Sequence, residues 1–136
     1  MHTFALRVYY EDTDLAGIVY YANYLKFIER ARSEWVRQLG IDQVQLRAEA
    51  GLVFAVRKLD ADYLQPARFD DQLVVHTQCL AIGGARIDLR QEVWRGDTML
   101  FSALVTLVGV NVAGRASRLP EGVRAALLTE RNLQQP

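Results

Sequence analysis

Apolar residues recur at intervals of three and four along one early segment of the chain, which is the periodicity of an amphipathic helix. Between about Tyr21 and Gly40, the apolar residues that recur with this spacing are Tyr24, Phe27, Ile28, Ala31, Trp35 and Leu39. Gly40 is a natural end, because glycine readily adopts the left-handed conformation that closes a helix. A helix of about 18 residues is ~27 Å long, enough to cross a whole sheet. The segment 41–51 predicts a short second helix or an ordered connection.

Alternating or continuous apolar residues predict five strands elsewhere in the chain. The predicted strands are 4–10, 53–64, 72–82, 85–94 and 99–110, with a bulge between Val56 and Leu59 where the apolar register shifts. The last of them is almost continuously apolar, which predicts a central strand covered on both faces. Pro120 predicts the start of a final helix at about 120–133. A strand, a long helix and an antiparallel meander together predict an α+β fold, with the helix across the concave face of a curved sheet.

Composition and charge limit the kinds of protein that this chain can be. Without a repeat or linker, its 136 residues predict a single domain over 1–136, with a core at about 4–111. The 16 basic and 16 acidic residues cancel, which gives no electrostatic footprint for nucleic acid. The single cysteine fits a reducing compartment, and the chain start lacks the features of a secretory signal. No apolar run is long enough to span a bilayer, so a cytoplasmic protein is expected.

Few residue types suited to catalysis are present. His2 is expected in solvent at the terminus, whereas His76 and Cys79 lie an odd number of positions apart in one predicted strand. Their side chains should therefore face opposite sides of the sheet, which disfavours a Cys–His dyad or a shared metal ion. The sequence has no nucleophile elbow, phosphate-binding glycine loop or paired metal-ligand motif, so neither a metal nor a cofactor is expected. An enzyme built on this chain has to use carboxylates, backbone amides, tyrosines and arginines.

Three acids, Glu11, Asp12 and Asp14, stand shortly before Gly17 and the long helix. One carboxylate is enough to hydrolyse a thioester, because the thiolate leaves readily and the carboxylate can attack the carbonyl or deprotonate a water. The start of a helix supplies unpaired N–H groups for the oxyanion, and Gly17 allows close backbone approach. Taken alone, the pattern favours a hydrogen-bonded turn over a catalytic acid. Glu11 and Asp12 are expected to be solvated or paired with arginine.

Two sequence blocks make the catalytic interpretation more specific. The first, RVYYEDTDLAGIVYYANYLKFIERARSEWVRQLG at 7–40, joins a D-x-x-G-I-V-Y-x-x-x-Y motif to an E-R-A-R helix, and the second is FAVRKLDADYLQPARFDD at 54–71. Both resemble hotdog-fold thioesterases of the 4-hydroxybenzoyl-CoA thioesterase family. The resemblance is greatest to the bacterial branch called Tol–Pal-associated acyl-CoA thioesterases, and it extends more loosely to about residue 111.

This resemblance implies a hotdog fold, in which a curved antiparallel sheet wraps a long central helix, and the hydrolysis of acyl-CoA to a free acid and CoA. The catalytic carboxylate of the family falls on Asp14, three positions before the motif glycine. The oxyanion donor falls on the backbone N–H of Tyr21. The resemblance also implies dimers whose sheets run together, active sites at the subunit interface, and association of dimers into a homotetramer.

The sequence leaves three questions open: which residues contact the substrate, what the substrate is, and whether the protein is catalytic. The residues expected to bind substrate are Gly17, Tyr20, Arg57, Lys58 and Arg68, the last three as partners for CoA phosphates. Tyr24 is expected in the core or a subunit interface. The substrate is either acyl-CoA, with a short-chain or aromatic acyl group, or an acyl group on acyl-carrier protein. The alternative is a noncatalytic module that binds acyl chains or acyl-carrier protein in envelope or phospholipid assembly, whereas a dehydratase is disfavoured because it normally needs a histidine.

Overall fold

The long helix lies close to its predicted position. In the computed structural model, which describes residues 1–134, helix α1 spans Asn23–Gln38. The buried residues of α1 include the predicted positions Tyr24, Phe27, Ile28, Ala31 and Trp35. Gly40 follows the helix with a φ of +83°, in the left-handed conformation expected of it. The predicted second helix is α2, Gln43–Ala50, and its start is capped by the carboxylate of Asp42.

Five antiparallel strands form one sheet in the spatial order β1-β3-β4-β5-β2. Their bounds are β1 His2–Arg7, β2 Val53–Tyr63, β3 Gln72–Ile82, β4 Arg86–Arg95 and β5 Thr98–Val110. The bulge predicted in the second strand is confirmed between Val56 and Lys58. The predicted meander holds for β3, β4 and β5, but β2 lies at the far edge of the sheet and pairs with β5. Because α1 packs on β1, β3 and β4 and α2 reaches β2, the helices carry the chain across the sheet to that edge.

The N-terminal strand is shorter than predicted. β1 ends at Arg7, and Tyr10–Asp12 form one turn of 3₁₀ helix. Asp12 is buried there, and its Oδ2 accepts a hydrogen bond from the N–H of Tyr9 at 2.9 Å. Its carbonyl oxygen accepts from the N–H of Tyr20 and from the Asn23 side chain, each at 2.9 Å. The prediction that Asp12 is solvated or paired with arginine is therefore wrong: Asp12 is buried, has no arginine partner within residues 1–134, and ties the acidic turn to the start of α1.

The strand β5 is internal to the sheet but is open on one face at mid-strand in the single chain. Phe101, Ala103 and Val105 are buried, whereas Leu104 between them is 48% exposed. The prediction of coverage on both faces is therefore wrong at mid-strand, whereas Leu100 and Val108, which alternate with the core-facing set, are buried toward the two ends. The final helix, α3, spans Glu121–Gln134 directly after Pro120 and packs on β3. Along the described chain, none of the helices has both the length and the apolar character needed to cross a membrane.

One fully buried polar side chain links α1 to the sheet. Gln91 on β4 donates from Nε2 to the carbonyl oxygen of Ile28 and to Thr77 Oγ1, each at 2.9 Å. Its Oε1 accepts from the guanidinium of Arg32 at 2.9 Å. All of these groups are paired, which is the condition under which a buried amide is tolerated. The network fixes the position of α1 on the sheet, and hence the position of the helix start.

Candidate active site

Asp14 opens a tight turn before α1. Its N–H donates to the carbonyl oxygen of Ile18 at 2.9 Å, and the N–H of Gly17 donates to the carbonyl oxygen of Asp14 at 3.0 Å. Asp14 Oδ1 accepts from the N–H of Ala16 at 2.9 Å and from that of Ile18 at 3.4 Å. The hydrogen-bonded turn favoured from the sequence is confirmed. Within residues 1–134, no donor reaches Oδ2, so the turn leaves one carboxylate oxygen available.

Position 17 needs a glycine because of its backbone conformation, not because a side chain there would clash with its neighbours. Its φ is +80°, a region that side-chain-bearing residues rarely adopt. A Cβ atom placed on it would meet nothing within 4 Å, so the close backbone approach predicted for this glycine is wrong. The glycine instead lets the chain reverse within four residues, which brings Ile18 back beside Asp14.

Asp14, Tyr20 and Tyr21 line the same cavity, which has a volume of about 380 Å³. The other residues around it are largely apolar or aromatic: Ile18, Val19, Tyr24, Tyr63, Leu64, Gln65 and Pro66. Asp14 itself is exposed in the single chain. One acid in a mostly apolar and aromatic cavity is the arrangement expected of a small-molecule site, where a few polar groups orient an apolar ligand.

The turn before α1 leaves two backbone amides unpaired, one of which belongs to the cavity residue Tyr21. The helix begins at Asn23, two residues later than predicted, and a turn precedes it in which the N–H of Asn23 donates to the carbonyl oxygen of Tyr20 at 2.8 Å. In the part of the chain that is described, the N–H groups of Tyr21 and Ala22 have no acceptor. Such groups at a helix start, aided by the helix dipole, stabilise negative charge.

An aromatic cluster forms one wall of the cavity. Tyr24 is buried, as predicted, and stacks on Phe101 with ring centroids 5.0 Å apart. Its hydroxyl oxygen accepts from the N–H of Ala67 at 3.0 Å. Tyr63 packs edge-on against both rings, with centroids 5.5 Å from Tyr24 and 5.1 Å from Phe101. Burial raises the pKa of Tyr24 and of Tyr63, so both hydroxyls are protonated at neutral pH.

The predicted basic residues do not all lie near Asp14. Arg57 and Lys58 line a second cavity of about 580 Å³, together with Arg86, which is paired to Asp88 at 3.3 Å. Arg68 lines neither cavity, but its backbone forms a β-bridge with Ile18 and so lies beside the Asp14 turn. Within one chain, the structure therefore groups Asp14, Tyr20 and Tyr21 and keeps Arg57 and Lys58 apart from them.

The histidines and the cysteine lie outside the Asp14 cavity. Cys79 and His76 lie on opposite faces of β3, as predicted: Cys79 is buried, and His76 stacks on Trp94 with ring centroids 5.7 Å apart. Burial raises the pKa of the Cys79 thiol to about 11, so it is protonated and unreactive at neutral pH. His2, expected in solvent, lies in β1, where partial burial lowers its pKa.

A long helix packed on one antiparallel sheet of five strands is the hotdog architecture. One acid, Asp14, and the unpaired amide of Tyr21 at the helix start lie at its mostly apolar cavity. Comparison with known proteins makes the class specific. The family model for the thioesterase superfamily matches residues 16–102, more than half of the chain. The chain belongs to this superfamily.

Individual proteins similar to this chain carry more specific names than the superfamily. An acyl-CoA thioesterase YbgC from Haemophilus influenzae is 42% identical over 125 residues, which cover 91% of this chain and 92% of that protein. An acyl-CoA thioester hydrolase YbgC from Escherichia coli is 40% identical over 103 residues, which cover 76% of each chain. The crystal structure of a probable thioesterase from Bartonella henselae superposes with a TM-score of 0.84 at 38% identity, covering 88% of this chain and 98% of that one. These similarities confirm the resemblance to acyl-CoA thioesterases that the sequence predicted.

Proposed function

We propose that this thioesterase uses Asp14 as its essential carboxylate and the backbone N–H of Tyr21 as its oxyanion donor. The observation that carries the proposal is that both residues line one cavity, each with a free group. Asp14 Oδ2 accepts no hydrogen bond, and the Tyr21 N–H donates none, from or to any described residue. The acyl thioester carbonyl lies between them, with its oxygen toward the amide and its carbon toward the carboxylate.

Two routes are chemically complete with these groups. In the first, Asp14 Oδ2 bonds to the carbonyl carbon as the carbon–sulfur bond breaks, and water then hydrolyses the acyl anhydride. In the second, Asp14 takes a proton from water as the water oxygen bonds to the carbonyl carbon; the carbon–sulfur bond then breaks, and the proton passes from Asp14 to the departing CoA thiolate. Either route consumes one water, yields a free acid and CoA, and returns the carboxylate.

The cavity favours small acyl groups. Its volume of about 380 Å³ is near the lower end of the range of small-molecule sites, and aromatic rings form much of its wall. Free thiol release from a series of acyl-CoAs is expected to be about tenfold or more faster for short-chain and aromatic acyl groups than for long-chain ones. The same acyl groups on acyl-carrier protein form the second arm of this assay. Equal or faster hydrolysis of long-chain acyl-CoA would contradict the proposed preference.

We also propose that two copies pair through β2 and that such dimers form a homotetramer. β2 is an edge strand, and its apolar residues Val53, Val56, Leu59 and Tyr63 are exposed in the single chain. An edge of this kind is a ready template for another strand. Antiparallel pairing sets the first half of one β2 beside the second half of the other. Because Arg57 and Lys58 lie at the middle of β2, they meet their counterparts of the partner subunit at the centre of the pair. The end of β2 that lines the Asp14 cavity then lies beside the start of the partner's β2.

Placing a charge on this edge tests the shared site. Val56→Asp is expected to shift the protein toward monomer and to lower kcat/KM about tenfold, because Val56 is 51% exposed in one chain but covered in the pair. Analytical ultracentrifugation and thiol release measure the two effects. Val112→Asp is the matched control, since Val112 is 94% exposed outside any strand. An active Val56→Asp monomer would exclude a site that needs two subunits.

A further inference from the structure

The hydroxyl of Tyr63 binds the segment that carries the proposed oxyanion donor. Tyr63 is the last residue of β2, and its hydroxyl donates to the carbonyl oxygen of Tyr21 at 2.9 Å. No other donor within residues 1–134 reaches this carbonyl, because the Leu25 N–H donates to Ala22 instead, at 3.2 Å. A side chain from the sheet thus satisfies a backbone group that the helix leaves unpaired.

The position of this hydroxyl is set by the core. The Tyr63 ring packs edge-on against Tyr24 and Phe101, both of which are buried. Tyr24 is held in turn by the N–H of Ala67, 3.0 Å from its hydroxyl oxygen. Although Tyr63 is 48% exposed, its contacts with these two buried rings restrict its rotation, and its raised pKa keeps the hydroxyl protonated as a donor.

The other hydrogen bonds of the turn flank Tyr21 without holding it. The N–H of Tyr20 donates to the carbonyl oxygen of Asp12 at 2.9 Å, and the N–H of Asn23 donates to that of Tyr20 at 2.8 Å. The side chain of Tyr21 is exposed, and its own N–H has no acceptor in the described chain. Among the described residues, the bond from Tyr63 is thus the only hydrogen bond to the backbone of Tyr21. It holds the peptide group that follows the Tyr21 Cα, and so restricts the adjoining peptide group that carries the Tyr21 N–H.

We propose that Tyr63 is a positioning residue for thioester hydrolysis, whose hydroxyl holds the Tyr21 backbone so that the Tyr21 N–H stays directed into the cavity. The inference rests on the proposed role of that N–H. An oxyanion donor is effective because it is already oriented when charge develops, so a looser turn weakens transition-state binding more than substrate binding. Loss of the whole donor would cost roughly a hundredfold or more in kcat, and loss of its support costs less.

Tyr63→Phe tests the inference, because it removes the hydroxyl and keeps the ring. We expect kcat for acyl-CoA hydrolysis to fall about fivefold to tenfold, with KM within about twofold of wild type. The melting temperature should stay within about 2 °C. The dissociation constant for a thioether analogue of acyl-CoA, which has no carbonyl group, should not change. Tyr9→Phe is the control, since Tyr9 is exposed and lies outside the cavity.

Three results would overturn the inference. They are an unchanged kcat, a loss confined to KM or to thioether binding, and a fall in kcat that accompanies a melting temperature lowered by more than about 5 °C. Asp14→Asn, assayed beside Tyr63→Phe, separates this inference from the proposed function. Full activity of Asp14→Asn refutes the proposed function, whereas inactive Asp14→Asn with a wild-type kcat for Tyr63→Phe refutes only the positioning role.

Discussion

Replacing Asp14 with asparagine is expected to lower kcat for acyl-CoA hydrolysis about a thousandfold. Asparagine retains an oxygen that can accept from the N–H groups of Ala16 and Ile18, so the turn should persist. It removes the negative charge and the basicity that either nucleophilic attack or proton abstraction requires. Thiol release at saturating acyl-CoA measures the loss, and an unchanged melting temperature shows that the fold is intact.

The matched control for Asp14→Asn is Glu11→Gln. Glu11 is an exposed acid of the same loop, and its replacement makes the same change in net charge. Because Glu11 is not among the residues that line the cavity, its variant should keep kcat within about twofold of wild type. Comparable losses in both variants would mean that loop charge, rather than the Asp14 carboxylate, supports activity. Full activity of Asp14→Asn would refute the assignment directly.

Phe101→Ala is expected to reduce the free energy of unfolding by about 3–5 kcal/mol. Phe101 is 0% exposed and is the stacking partner of Tyr24. Truncation therefore loses the burial of a ring and leaves a cavity that the surrounding sheet cannot easily close. Since a domain of this size is stable by only about 5–15 kcal/mol, the change is a large share of the total. Urea denaturation followed by circular dichroism measures it.

Two further variants serve as controls for Phe101→Ala. Phe101→Leu should recover part of the stability, because it refills part of the space. Val112→Ala should change the free energy of unfolding by less than about 0.5 kcal/mol, because Val112 is 94% exposed. A cost below about 1 kcal/mol for Phe101→Ala would contradict the expectation that packing of the buried Phe101 ring contributes substantially to stability.

Local patterns predicted the elements but not the position of every strand. The spacing of Phe27, Ile28 and Trp35 identified α1 because it reports which side of a helix meets the core. The alternation in β2 identified a strand and its bulge, yet it carries no information on which neighbour the strand joins. That choice depends on the path of α1 and α2 across the sheet, which is a property of the assembled fold.

The residues of the candidate site also differ in whether the sequence predicted them. Asp14 and Tyr21 were predicted from a motif of contiguous residues, and the structure brings them to one cavity. Tyr63 gave no such signal, because a contact between positions 42 apart exists only after folding. Gln91 occupies a core-facing position of β4. Its polar side chain gave no indication of burial, because the groups that pair with it are known only from the fold. For Arg57 and Lys58, charge predicted an anion partner without predicting which cavity they line.

The burial of Cys79 has a practical consequence for every rate measurement on this enzyme. It is the only cysteine of the 136 residues, and its pKa of about 11 keeps the sulfur in the inert, protonated form. A chromogenic disulfide reagent added to the folded protein will therefore find almost no sulfur of the enzyme's own to modify. The colour that develops during turnover reports liberated coenzyme, without a protein background and without slow inactivation of the catalyst by the dye.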